Sequence, residues 1–141
     1  MDRKKFIKNS CMACAALASG GVLLSMLQSC SSISRISSSQ TKSRFQFPLS
    51  SFGTGQMLIV QRNDAEFDAL VVKQNDYQYI TLDMMCTHQS QPLTANTTGL
   101  YCPSHGSRFG LDGKVLSEPA TQSLKQYKTE LQDQAIIIYF K

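Results

Sequence analysis

Two cysteine–histidine pairs limit what the C-terminal part of this 141-residue chain can fold into. Cys86-Thr87-His88 and Cys102-Pro103-Ser104-His105 are separated by thirteen residues. Together they use both histidines of the chain and every cysteine beyond Cys30. Thiolates and imidazoles are the ligands that soft and borderline metals select. A lone C-x-H carries no signal, but two halves that leave no later cysteine or histidine unused form a metal-binding pattern. Any fold has to bring them together.

The sequence around the pairs is written in short strands. Segments 57–60, 69–73, 77–83, 114–116, 123–130 and 135–140 are rich in β-branched and aromatic residues. Asn63-Asp64, Asn75-Asp76, Asp112-Gly113 and Asp133-Gln134 supply turn residues between them. No segment carries a sustained helical stripe. The pattern predicts an all-β domain over 45–141, a small antiparallel sandwich or barrel. A loop-rich insertion over 84–110 interrupts it and holds both pairs. Met84-Met85 read as packing under the first loop, and Asn96-Thr97-Thr98 as a plain turn.

Charge is divided unevenly. Residues 1–29 hold four basic residues and one acid, whereas residues 45–141 hold seven basic residues and nine acids. The folded part therefore offers no basic patch for nucleic acid. A charged stretch over 2–8 precedes 17 small and apolar residues over 11–27, which reads as an export signal. The stretch is short for a membrane span of about 20 apolar residues, and Gly20-Gly21 interrupts it. An uncleaved anchor helix is the alternative. Leu27-Gln28-Ser29-Cys30 resembles a bacterial lipoprotein box, which implies lipid attachment at Cys30. Arg3-Lys4-Lys5-Phe6-Ile7-Lys8 resembles a twin-arginine signal, with Lys4 where the second arginine belongs. Residues 31–44 contain seven serines, a composition that predicts a flexible tether. The expected organisation is an export signal over 1–29, a tether over 30–44 and a domain over 45–141. The expected location is the bacterial cell envelope, lipid-anchored and facing the periplasm.

The two pairs, with Gly106-Ser107-Arg108-Phe109, Leu111-Asp112-Gly113-Lys114-Val115 and Glu118-Pro119-Ala120, resemble the cluster-binding domain of the Rieske iron–sulfur family. The resemblance implies one [2Fe–2S] cluster, with Cys86 and Cys102 on the inner iron and His88 and His105 on the outer one. Ser107 is implied as a hydroxyl donor to cluster sulfur, and Pro119-Ala120 as a shielding loop. Exchanging two thiolates for imidazoles removes negative charge and raises the potential above that of an all-cysteine cluster.

Several positions depart from the family pattern. Gln91 and Ser104 stand where high-potential members have a disulfide, and Ser90 stands where glycine is common. Gln89 replaces an apolar cap that quinol-docking members use. Phe109 replaces a tyrosine whose hydroxyl would be a second donor. Arg108 reads as a solvated loop charge, with a partner contact as the alternative.

The implied function is one-electron transfer, with a cytochrome or an oxidoreductase large subunit at the same membrane as partner. An alternative is the small subunit of a periplasmic oxidoreductase, as in arsenite-oxidase-like assemblies. Catalysis by this chain alone is not implied, since no histidine remains for a second, mononuclear iron. A rival from another class is a structural Cys₂His₂ zinc site.

Overall fold

The computed structural model describes residues 33–38, 43–63 and 65–141. The predicted export signal, Cys30 and the remainder of the predicted tether lie outside the described residues. The strands in chain order are β1 (Ser34–Ser38), β2 (Arg44–Pro48), β3 (Met57–Arg62), β4 (Ala69–Lys73), β5 (Tyr79–Asp83) and β6 (Thr94–Asn96). They continue with β7 (Gly99–Tyr101), β8 (Arg108–Phe109), β9 (Val115–Ser117), β10 (Gln126–Gln132) and β11 (Ala135–Tyr139). A 3₁₀ turn, Leu49–Phe52, follows β2.

Met57-Leu58-Ile59-Val60 and Ala69-Leu70-Val71-Val72 are uninterrupted apolar runs, and every residue of both is buried. Side chains alternate across a strand, so burial of all of them means that the sheet is covered on both faces. Met57, Ile59, Leu70, Val72 and Leu82 enter one core, which they share with Cys86, Cys102 and Phe109. Leu58, Val60, Ala69, Val71 and Tyr79 enter the other, against Phe47, Phe52, Ile136 and Ile138.

The large sheet is barrel-like, with seven strands in the order β1-β3-β4-β5-β10-β11-β2. Its pairings are antiparallel except β1 with β3, which is parallel. A second sheet of four antiparallel strands, β6-β7-β8-β9, occupies the insertion. Its members are two or three residues long; β9 corresponds to the strand expected over 114–116, and the other three are too short for a periodicity argument to detect. Gly99 is required there: a Cβ would lie 2.3 Å from the Phe109 carbonyl oxygen, so only glycine lets β7 approach β8.

The structure corrects three boundaries. Ser34–Ser38, expected within the tether, is an edge strand in register with Leu58 to Arg62 of β3. Its polar composition hides an alternation in which Ser34, Ile36 and Ser38 turn inward while Arg35 and Ser37 stay exposed, and Ile36 packs on the second core. The large sheet therefore takes in residues upstream of 45. Secondly, Tyr77 was expected in a strand but is 87% exposed. The Asn75 side chain accepts the Tyr77 N–H and holds a turn, so β5 starts only at Tyr79. Lastly, the strand expected over 123–130 starts at Gln126 and runs to Gln132, because Leu124 turns into the first core and its N–H bonds to Gly113.

One buried polar group braces the strand that leads to the first cysteine. Arg62 Nη1 donates to the Tyr127 hydroxyl at 2.9 Å, and that hydroxyl donates to Asp83 Oδ2 at 2.7 Å. The Arg62 guanidinium also lies 4.4 Å from the centre of the Phe140 ring. Burial, then the Asp83 carboxylate, pushes the Tyr127 pKa up to about 12 from 10.0. The folded state therefore keeps this proton after the unfolded chain has released it. The corresponding stability is complete below pH 10 and is lost as pH rises towards 12. Urea unfolding followed across that range should show the decline, and Tyr127→Phe should remove its share of it. At neutral pH the same substitution should cost about 1–3 kcal/mol, because Asp83 loses its buried partner.

Candidate functional site

The two cysteine loops differ in sequence but close with one backbone pattern. The Cys86 carbonyl accepts the Ser90 N–H at 2.9 Å, and the Cys102 carbonyl accepts the Gly106 N–H at 2.9 Å. The Cys86 N–H donates to the Gln91 carbonyl and the Cys102 N–H to the Ser107 carbonyl, both at 2.8 Å. In each loop the fourth residue after the cysteine has positive φ, +48° at Ser90 and +84° at Gly106. Gly106 adopts this freely, whereas Ser90 holds it at a cost of about 1–3 kcal/mol. The loops follow β5 and β7, so the two sheets set their spacing.

Cys86 and Cys102 are buried and free of disulfides. The two thiols share one apolar core. Burial pushes the Cys102 pKa up. The backbone N–H groups of His105 and Ser104, with the Cys86 thiol and the Ser104 hydroxyl, outweigh it and hold the value below that of an ordinary thiol. N–H groups aimed at sulfur are what a thiolate ligand requires.

His105 is exposed and His88 half-buried. Their rings meet edge to face with centroids 5.0 Å apart. His88 Nδ1 is buried and has no hydrogen-bond partner. A buried ring nitrogen left unpaired is costly, and a metal bound there would satisfy it. Among the described residues, no three His, Cys, Asp or Glu side chains converge as one ion would need. The four groups stand instead as a thiol pair in the core and an imidazole pair at the surface. This donor set fits a two-metal cluster with mixed ligands.

A third segment closes the site. Ser107 is fully buried, and its Oγ accepts the Ala120 N–H at 3.0 Å. That leaves the hydroxyl proton uncommitted among the described residues. The Thr87 hydroxyl, between two candidate ligands, donates to the Gln122 carbonyl at 2.6 Å. Thr87 was not singled out from the sequence; its place between Cys86 and His88 was the available signal. Phe109 is fully buried in the core that holds both cysteines. Met84 packs in that core as expected, and Asn96 makes the expected turn by accepting the Thr98 and Gly99 N–H groups. Gln91 and Ser104 leave the loops without a covalent link.

Comparison with known proteins places these features. Residues 46–128 match the family described as Rieske [2Fe-2S] domain. The cytochrome b6-f complex iron-sulfur subunit of Chlorobaculum tepidum is 32% identical over 88 residues, covering 61% of this chain and 46% of that protein. The same subunit of Prochlorococcus marinus MIT 9515 is 28% identical over 93 residues, covering 64% of this chain and 52% of that protein. The chain thus spans about half the length of the curated relatives it matches. The plasma membrane Rieske protein PetC3 from Synechocystis PCC 6803 superposes with a TM-score of 0.51 at 28% identity, covering 59% of this chain and 85% of that one. A chain from the oxygenase–ferredoxin complex of carbazole 1,9a-dioxygenase shares the fold, with a TM-score of 0.55 at 22% identity over 72% of this chain and 96% of that one.

Ser107→Ala should strand the buried Ala120 N–H and cost about 1–3 kcal/mol in denaturant unfolding. An unchanged midpoint would show that the Ala120 amide finds another acceptor.

Proposed function

Because the chain belongs to the Rieske [2Fe–2S] domain family, we propose that it is a one-electron carrier, exported and held at a membrane by lipid on Cys30. When bound, the cluster accepts and donates a single electron. Cys86 and Cys102 would hold one iron from within the core, and His88 and His105 the other at the surface. The observation that carries this reading is the pair of equivalent loops that set buried thiols beneath surface imidazoles, with His88 Nδ1 unpaired.

The surrounding residues have separable tasks. Ser107 is fixed by Ala120 with its proton free to reach a cluster sulfur. The thiols lie out of water in an apolar core, while the exposed His105 gives the electron a short path out. Gln89 is exposed next to His88 and presents an amide where quinol-docking members carry an apolar cap, which favours a protein partner over quinol. A cytochrome or an oxidoreductase subunit at the same membrane is the expected kind of partner. Among the described residues no helix is long and apolar enough to cross a membrane.

Protein purified with its cofactor should be red-brown and give a paramagnetic signal when reduced. A colourless protein holding one zinc ion would overturn the reading. Rieske potentials span about −150 to +300 mV, tuned by hydrogen bonds to sulfur, charge and exposure. With Ser107 retained and no hydroxyl at Phe109, redox titration should give a value in the lower or middle part of that range. Phe109→Tyr should raise it by roughly tens of millivolts and Ser107→Ala should lower it.

The anchor has its own test. Two acyl chains suffice for stable attachment, so Cys30→Ala should shift the protein from the membrane to the soluble fraction or leave it unprocessed. An intact mass that retains residues 1–29 in the wild type would refute lipid attachment at Cys30.

A further inference from the structure

The outer face of the small sheet carries a surface that electron transfer by the cluster alone does not explain. Tyr101 of β7 and Arg108 of β8 are direct partners across the ladder, so their side chains stand together on one face. Leu116 of β9 lines the same shallow groove, of about 380 Å³, on the far side of Arg108. Tyr101 is 39% and Leu116 66% exposed; among the described residues only Tyr77 joins them as an exposed large hydrophobic. Exposed tyrosine and leucine flanking an arginine is the composition of a protein interface rather than of an idle surface.

Charge selects the occupant. Arg108 makes no ion pair among the described residues, whereas Lys114 is bound to Asp112 at 3.0 Å. Glu118, one residue past the β9 partner of Arg108, is exposed and makes no ion pair with it. A guanidinium without an ion pair, bordered by apolar side chains, is locally complementary to a carboxylate, and this local contact has to act against the net negative charge of residues 45–141. The position also suits electron transfer. Tyr101 is bonded to Cys102 and Arg108 to Ser107, while the neighbour of Leu116, Ser117, donates its hydroxyl to the Gly106 carbonyl. Tyr101 and Arg108 are thus each one residue removed from the second cysteine loop.

We propose that Tyr101, Arg108 and Leu116 form a docking surface for an acidic redox protein, separate from the exposed histidine edge. It rests on the electron-carrier reading above. The encounter belongs to the small, transient class of redox interfaces, in which a single charge acts mainly on the association rate.

The test is stopped-flow oxidation of the reduced, cluster-loaded full chain by an acidic c-type cytochrome. A basic c-type cytochrome and a small neutral quinone serve as comparison oxidants. Arg108→Gln should slow the acidic cytochrome about threefold or more at low ionic strength, with the gap closing as salt screens the charge. The basic cytochrome and the quinone should react as before. Leu116→Ser should slow the acidic cytochrome at every ionic strength. Equal rates for wild type and Arg108→Gln with the acidic cytochrome at low salt would overturn the docking surface. So would an equal slowing of the neutral quinone, since the substitution would then act on the cluster. Absence of a paramagnetic cluster signal in the wild type would instead overturn the carrier reading itself, before any rate is measured.

Discussion

Everything in the cluster-binding region depends on how the backbone around each cysteine is tied. The cysteine N–H and C=O both turn inward to residues four and five positions on, so the loop closes on itself and the thiol is fixed relative to its own strand. Buried amides must find partners, and this loop satisfies them without help from the rest of the domain. Once two such loops exist, positioning the four candidate ligands becomes a matter of placing two strand ends. The large sheet places the end of β5 and the small sheet the end of β7. The Ser107–Ala120 and Thr87–Gln122 hydrogen bonds then draw in the third segment.

The large sheet serves two cores, and that division explains its sequence. Strands buried on both faces cannot alternate polar and apolar residues, which accounts for the unbroken runs of β3 and β4. One core is shared with the cysteines and Phe109, the other with the aromatic cluster of Phe47, Phe52 and Tyr79. A change on one face of β3 therefore reaches the redox region, while its neighbour one residue away reaches only the barrel. The Arg62–Tyr127–Asp83 group joins β3, β10 and β5 at the end nearer Cys86.

What could be read from the sequence followed the strength of the local signal. The long apolar strands and the Asp112-Gly113 turn were legible because burial on two faces and turn chemistry leave plain marks. The four candidate ligands were legible because cysteine and histidine are scarce here. The small sheet was legible only at β9, anticipated over 114–116 from the Asp112-Gly113 turn, since strands of two or three residues carry no period. Ser34–Ser38 was misread because serine content outweighed a single inward isoleucine, and pairing with β3 is a long-range event that composition does not register. The positive φ of Ser90 was marked only by the resemblance: serine itself gives no hint of it, but the family commonly has glycine there, and Gly106 plays the matching role in the other loop.

The nearness of the two cysteines has a consequence for the order of events in the cell. Cys86 and Cys102 are free thiols in one shared core, and Gln91 and Ser104 offer no sulfur to pair with either. In an oxidising compartment thiols without a metal are open to oxidation, and an oxidised pair could not serve as the iron ligands proposed for them. Assembly therefore has a deadline. In an exported carrier of the kind proposed above, the prosthetic group would have to be seated while the thiols are still reduced, before the domain crosses.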